Sequence, residues 1–261
     1  MAGLVPAIHE LAAACGSMDG RHKGGHDGSG KRINPFMTST RRAQLEAAQA
    51  RGMAMFDAIE RAGFVAPGRL ESDVDDDIRK LAERDFAVTV NWHKRIVRAG
   101  PNSICTFHEK PPVRVIGPED TVYLDLGPVF GEWEADLGRS YALGNDPEKK
   151  RLVADLPRLF DVVRAHYRAS PGITGAELYA FAQKTASEAG WIFGGTIAGH
   201  IVGEFPHAQR VPGPADLHRI APANTAPMRD PDANGNERHW ILEIHLVDQA
   251  HTFGGFYERL L

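Results

Sequence analysis

The stretch Tyr123–Asp136 limits the fold more than any other, because it reads as a β-hairpin with a carboxylate on each arm. Val122, Tyr123, Leu124 and Leu126 on one side, and Trp133, Leu137 and Tyr141 on the other, are apolar and β-prone, while Pro128 and Gly131 crowd the bend. A turn centred on Phe130-Gly131 sets Val129 against Glu132, Gly127 against Glu134 and Asp125 against Asp136. Directly opposed side chains have Cβ atoms about 5 Å apart. Two anions at that separation repel by roughly 3 kcal/mol at an effective dielectric near 20. A shared proton or a cation offsets this if both side chains face inward; in a different register both point to water.

The rest of the chain has to decide between these. Its 261 residues hold one large or two modest domains with a sizeable core. With 43% hydrophobic and 25% charged residues it is ordinary globular material, and no apolar run approaches the length of a membrane span. A formal charge of −4 gives no general attraction to nucleic acid or anionic lipid, which leaves small polar ligands as expected partners. Cys15 and Cys105 are too few for a disulfide framework, so a cytoplasmic setting is expected. With twelve histidines, any one of them alone is weak evidence for a metal.

Residues 1–38 read as a disordered extension: a Gly/His/Lys/Ser-rich run follows a short apolar patch, and no period is sustained. Glu10 and the lack of a basic leader argue against a signal peptide, and His22 and His26 would bind metal only adventitiously. Order is expected over 39–261. Ser39 or Thr40 can cap a helix with Leu45, Ala48, Met55, Ile59 and Ala62 on one face, ending at Gly63. A second helix follows Ser72, its acids Asp73, Asp75, Asp76 and Asp77 preceding Arg79, Lys80 and Arg84 as a helix dipole favours. That acidic run lacks the glycine and terminal glutamate of a calcium loop. Residues 91–108 read as a turn-rich connector leading into a strand near Ser103–Phe107. Asp146-Pro147 opens a third helix, in which Pro157 predicts a kink or break, and Thr174–Glu177 is a capping box for a fourth. The glycines of 194–203 lack the Lys-Ser/Thr ending of a phosphate loop. An irregular stretch, 210–238, follows. Finally 239–247 and 255–261 read as strands, and a turn on Ala250-His251 sets Glu243 against Glu258.

The second acid pair arises from the same organisation as the first: two helices, then paired strands with opposed carboxylates. Two such halves face to face converge four carboxylates on one spot. Four buried anions are unsustainable alone, whereas two divalent cations cancel their formal charge. A neutral imidazole completes a dinuclear site without adding charge, and His200, between Gly199 and Gly203, is a candidate. A pair of metals about 3.5–4 Å apart is suited to hydrolysis. Taken singly, each residue also has an ordinary reading, as strand-end acid, loop histidine or edge-strand charge.

Asp125 and Asp136 eleven apart, Gly199-His200 with His207 seven later, then Glu243 in an apolar strand and Glu258 near the C-terminus resemble the ligand pattern of the pita-bread metallopeptidases. That family includes methionine aminopeptidase, aminopeptidase P, prolidase and creatinase. The resemblance spans about 39–261 and implies an α+β fold of two pseudo-symmetric halves, each an antiparallel sheet backed by helices. The length is similar to methionine aminopeptidase, without room for the N-terminal domain of aminopeptidase P. The wording of Trp92–Asn102 and Leu124–Val129 looks more like aminopeptidase P. The resemblance implies that Asp125 chelates one metal, Asp136 and Glu258 bridge both, and His200 and Glu243 ligate the other. The ions would be Mn, Co, Fe or Zn. It further implies that Glu243 handles the proton of the attacking water, His207 hydrogen-bonds the oxyanion, and His108 contacts the scissile amide or leaving nitrogen.

The chain departs from the family after Glu243, where Ile244-His245 replaces Pro-Gly or Pro-Met. Period 2 puts His245 on the face of Glu243, as a further site residue or as a hydrogen-bonded buried histidine. The expected activity is aminopeptidase or Xaa-Pro cleavage of short peptides. The alternatives are a creatinase-like, metal-independent hydrolase or lyase, and a non-catalytic pita-bread binding module. The 210–238 stretch can close over substrate, narrow the cleft to short peptides, or build a homodimer contact. Trp92, Trp133, Trp191 and Trp240 read as core or pocket wall.

Overall fold

The computed structural model of the protein describes residues 35–261. The expected disorder of 1–34, with His22 and His26, lies outside the described residues. Helix α1 (Pro35–Arg61) starts ahead of Ser39, inside the stretch expected to be disordered, and it buries Leu45, Ala48, Met55, Phe56 and Ile59. Helix α2 (Glu71–Phe86) begins before Ser72, and its N-cap Leu70 offers no side-chain bond. Tertiary contacts fix its entry instead: the buried Glu71 carboxylate accepts from the backbone N–H of Ala99 (2.7 Å) and Arg114 (3.0 Å) and from Asn102 Nδ2.

Strand β1 (Ile96–Ala99) lies within the stretch read as a connector, and Gly100–Ile104 is a 3-10 turn where the strand was expected to begin. Pro101 has no N–H to give a ladder, and Gly100, at φ +52°, turns the chain. Ser103 Oγ then donates back to the Gly100 carbonyl at 2.5 Å.

Strands β2 (Thr121–Leu126) and β5 (Leu137–Ala142) form the first hairpin, extended by a ribbon of β3 (Val129–Phe130) and β4 (Trp133–Glu134). Its register differs from the expected one by two residues: Val129 pairs with Glu134 and Asp125 with Gly138. The turn falls on Gly131-Glu132 because a two-residue loop needs positive φ, which Gly131 supplies at +67°. A slip of two keeps every side chain on its face. Asp125 and Asp136 are therefore diagonal neighbours.

Helix α3 (Pro147–Ala169) starts where Asp146 accepts from the N–H groups of Glu148 and Lys149. The break expected at Pro157 is absent, since Leu152, Leu156, Leu159, Phe160 and Val163 bury the helix on both sides of it. Helix α4 (Gly175–Glu188) carries both bonds of the Thr174/Glu177 capping box. Short strands β6 (Ile192–Phe193) and β7 (Ile201–Val202) and the turn α5 (His207–Arg210) lead to β8 (His239–Val247) and β9 (Gly254–Leu260). Here the register is the expected one, with Glu243 opposite Glu258.

The main sheet has the order β1-β2-β5-β9-β8-β6, antiparallel throughout, with β7 also on β8. It is topologically symmetric about the β5–β9 seam: each half supplies an edge strand, a second strand and an inner strand, in that chain order. One core packs α1 and α2 on the first half, and another packs α3 and α4 on the second. At the seam the ladder is replaced in part by side chains: Ser140 Oγ accepts from Phe256 N (2.7 Å) and donates to its carbonyl (2.8 Å), while Arg259 donates to the Gly138 carbonyl. This is the α+β, two-halved architecture expected of a pita-bread fold. Among the described residues no helix is long and apolar enough to cross a membrane.

Candidate metal centre

Across the seam, Asp125 pairs with Gly138, Gly138 with Glu258, and Glu258 with Glu243. Residues in one such transverse row point to one face of a sheet, so this register lines three carboxylates along a single rung. Gly138 leaves the gap between them: a Cβ there would meet the Phe256 ring at 2.4 Å and Glu258 Cβ at 3.1 Å. Asp136, in the two-residue break between β4 and β5, adds the fourth carboxylate.

His200 enters through backbone pairing with β8, where Ile241 N donates to the His200 carbonyl (2.8 Å) and Glu243 N to that of Ala198 (3.0 Å). Gly199, at φ +132°, permits this approach, since a Cβ would sit 2.0 Å from the Ile241 carbonyl oxygen. His200 Nδ1 bonds the Ile201 carbonyl at 2.8 Å, which turns Nε2 to Asp136 Oδ2 (3.1 Å) and Glu243 Oε1 (3.6 Å). The structure thus brings Asp125, Asp136, His200, Glu243 and Glu258 together. Two overlapping donor groups stand out, His93/Asp125/Asp136 and Asp136/His200/Glu258, and they share Asp136.

Burial and mutual repulsion strain the charges of this cluster. Desolvation pushes Glu243 up to about 8 and Asp125 to about 6, and raises Glu258 well above the ordinary carboxylate range, with Asp136 and Glu243 adding repulsion. Burial also opposes ionisation of Asp136, but His93 and His200 hold it below the ordinary range. Desolvation disfavours the charged form of His200 too, yet its bond to Asp136 raises it to about 9. Among the described residues Glu258 Oε2 is buried without a hydrogen-bond partner. An orphaned carboxylate oxygen among three more acids is costly unless a cation meets it. The donor set, four carboxylates and at least one imidazole, fits divalent ions.

Asp125, Asp136, His200 and Glu243 line a cavity of about 410 Å³, and Glu258 adjoins Asp136 and His200 beside it. His207 stands in its wall, where Glu134, almost wholly buried, accepts from His207 N (3.0 Å) and bonds Nδ1 (2.5 Å). That pairing leaves Nε2 as the ring's other polar atom. His108 is exposed at the cavity lining, edge-on to Phe107, and makes no bond to the carboxylates. His245 faces the cavity and is also a buried, hydrogen-bonded histidine, with Nε2 3.0 Å from the Ser103 carbonyl. Part of the irregular 210–238 stretch, including Val211, His218 and Arg219, walls the same cavity.

Sequence reasoning missed His93 and Glu134. Glu134 carried a usable signal, since it lies two residues before Asp136 on the same arm of the hairpin. His93 carried none, because it sits in a stretch with no period.

Against known families, residues 43–231 match the model of metallopeptidase family M24. The chain belongs to that family. A stretch of 96 residues is 31% identical to a Xaa-Pro dipeptidase of Lactobacillus delbrueckii subsp. lactis, covering 37% of this M24 chain and 26% of the relative. An X-Pro aminopeptidase structure from Thermotoga maritima superposes at a TM-score of 0.62 with 19% identity, over 84% of this chain and 57% of that one. A methionine aminopeptidase structure from Thermotoga maritima gives 0.58 with 16% identity, over 87% and 92%. The match thus spans about a quarter of the curated relative and little more than half of the X-Pro aminopeptidase chain. These likenesses establish the pita-bread fold.

Proposed function

We propose that this M24 chain is a metal-dependent peptidase that cleaves the amino-terminal bond of short peptides, with Xaa-Pro peptides as first candidates. The observation that carries the reading is the convergence of Asp125, Asp136, His200, Glu243 and Glu258 from both halves, four of them lining one cavity, with Glu258 Oε2 left without a partner among the described residues. These five residues would hold two divalent ions, of Mn, Co, Fe or Zn, with Asp136 placed between both donor groups. When bound, such ions supply Lewis acidity toward a carbonyl and lower the pKa of water.

The chain's own residues account for the remaining chemistry. Glu243 takes the proton of the attacking water at its cavity-facing carboxylate and passes it to the departing nitrogen. His207, whose Nδ1 hydrogen is held by Glu134, would donate from Nε2 in its doubly protonated form to the substrate oxygen as negative charge develops there. His108 stands at the cavity lining where a leaving segment would pass. A volume of about 410 Å³ suits a di- or tripeptide better than a folded protein. The free thiol of Cys105 and the low cysteine count favour a cytoplasmic setting.

Metal analysis of protein prepared without chelator, with a dipeptide and Xaa-Pro panel assayed beside Glu243→Ala, tests the reading. Near two metal equivalents are expected, with activity falling by about 10²–10⁴-fold in the variant. An active but metal-free protein would favour the creatinase-like alternative. A metal-loaded protein with no turnover on any peptide would favour a binding module.

A further inference from the structure

We infer that His93 is a metal-site residue of this chain, an imidazole donor on the first-half side that matches His200 on the second. The inference rests on the metal reading above and adds to it a sixth residue. His93 Nε2 lies 3.1 Å from Asp136 Oδ1 and 3.4 Å from Asp125 Oδ1. His200 Nε2 lies 3.1 Å from the other oxygen of the same carboxylate, Asp136 Oδ2. The two imidazoles therefore flank Asp136, one on each oxygen.

They are also oriented by the same device. His93 Nδ1 is 2.6 Å from the carbonyl oxygen of the next residue, Lys94, as His200 Nδ1 is 2.8 Å from that of Ile201. A carbonyl oxygen only accepts, so Nδ1 carries the hydrogen and Nε2 is left facing carboxylate oxygens. Acceptors turned on one another need something positive between them. A histidine whose second nitrogen is tied to a backbone carbonyl is the usual preparation of a metal ligand.

The backbone has a built place for this ring. Trp92 N donates to the Gly127 carbonyl (2.9 Å) and Val129 N to that of Val90 (3.0 Å), which pins residues 90–92 alongside the hairpin extension and sets His93 over the carboxylates. Gly127 makes the room: a Cβ there would stand 2.3 Å from His93 Cδ2 and 2.4 Å from Nε2. The His93 side chain is only 7% exposed. A second nitrogen donor in a carboxylate-rich site shifts preference toward Co, Fe or Zn and away from Mn.

Titration of the metal-free protein with Co(II) against a competing chelator, repeated with Mn(II), separates the outcomes. Wild type is expected to bind two equivalents of Co(II). His93→Ala is expected to weaken one of them by at least about 10-fold, to lower the ratio of Co(II) to Mn(II) affinity, and to change the visible Co(II) spectrum. Gly127→Ala, which displaces the ring and keeps the imidazole, should shift the same readouts in the same direction. Far-ultraviolet circular dichroism and thermal melting of each metal-free variant identify any that fail to fold, and His93→Asp, which restores a donor, should recover much of the lost affinity. If wild type binds two equivalents and His93→Ala, folded, binds both with unchanged affinity and spectrum, His93 is only an ion-pair partner of the two aspartates and the inference fails. If wild type itself takes up no metal, the parent reading fails instead.

Discussion

The two halves of the sheet carry the same device, a hairpin with two acids, but close it differently. In the second half residues 248–253 join β8 to β9 directly. The Asp248 carboxylate accepts from the N–H groups of Ala250, Thr252 and Phe253 and from Thr252 Oγ1, so Glu243 and Glu258 end directly opposed. In the first half a ribbon and a two-residue break intervene, Asp125 opposes Gly138 instead, and Asp136 is displaced toward the seam. The difference puts one acid where both halves can reach it. The register already sets Asp125, Glu258 and Glu243 on one rung across the seam, and Asp136 adds a fourth acid that both His93 and His200 reach.

Removing that shared acid should therefore have the largest effect. Asp136→Asn takes the common partner from His93 and His200 at once, and peptidase activity is expected to fall by about 10³-fold or more, with metal lost on dialysis. Retention of two equivalents and full turnover would break the comparison, since each half would then be self-sufficient. A smaller effect tests the crossing contact from first-half Glu134 to second-half His207. Glu134→Gln keeps the shape but loosens the imidazole, and kcat is expected to drop by about 10- to 100-fold with little change in KM. A change in KM alone would show that Glu134 shapes the pocket and does not orient His207.

The smallest effect concerns the turn that makes the second half regular. Burial pushes the Asp248 carboxyl up, but its hydrogen bonds to Phe253, Thr252 and Ala250 hold it below the usual aspartate range. A depressed folded-state pKa stabilises above the unfolded value, about 3.9, and the contribution fades as pH falls through the folded value. Urea unfolding of Asp248→Asn should show a loss of about 1–2 kcal/mol at neutral pH, shrinking as the medium is acidified below about pH 4. A loss that stays constant across that range would assign the effect to packing.

The same contrast governs what could be read from the sequence. The Glu243/Glu258 register was legible because the strands are long, apolar and joined by a short turn. The first hairpin was legible as a hairpin and by face, but not by register, because Gly131 and Phe130 compete as turn centre and only the demand for positive φ decides. Strand β1 and His93 were hidden in a stretch without period, whose course is set by the buried Glu71 carboxylate and by pairing with residues 127–129. The start of α1 was missed because Gly- and Ser-rich composition says little about where a helix begins. Of the kink or break expected at Pro157, the break does not occur, because a helix buried on both sides of a proline tolerates the lost bond. The spacing of five donors was visible; Glu134 was overlooked although it stands two residues before Asp136 on the same arm, because its role is to hold another side chain.

The seam between β5 and β9 has a consequence for how this molecule can be divided. The linker at 143–146 offers the obvious place to cut, and each product would keep its own helices and most of its own core. Yet Asp125 and Asp136 would leave with one piece and His200, Glu243 and Glu258 with the other. Neither fragment would inherit a working centre, and only rejoining the two along Ser140 and Phe256 would restore it.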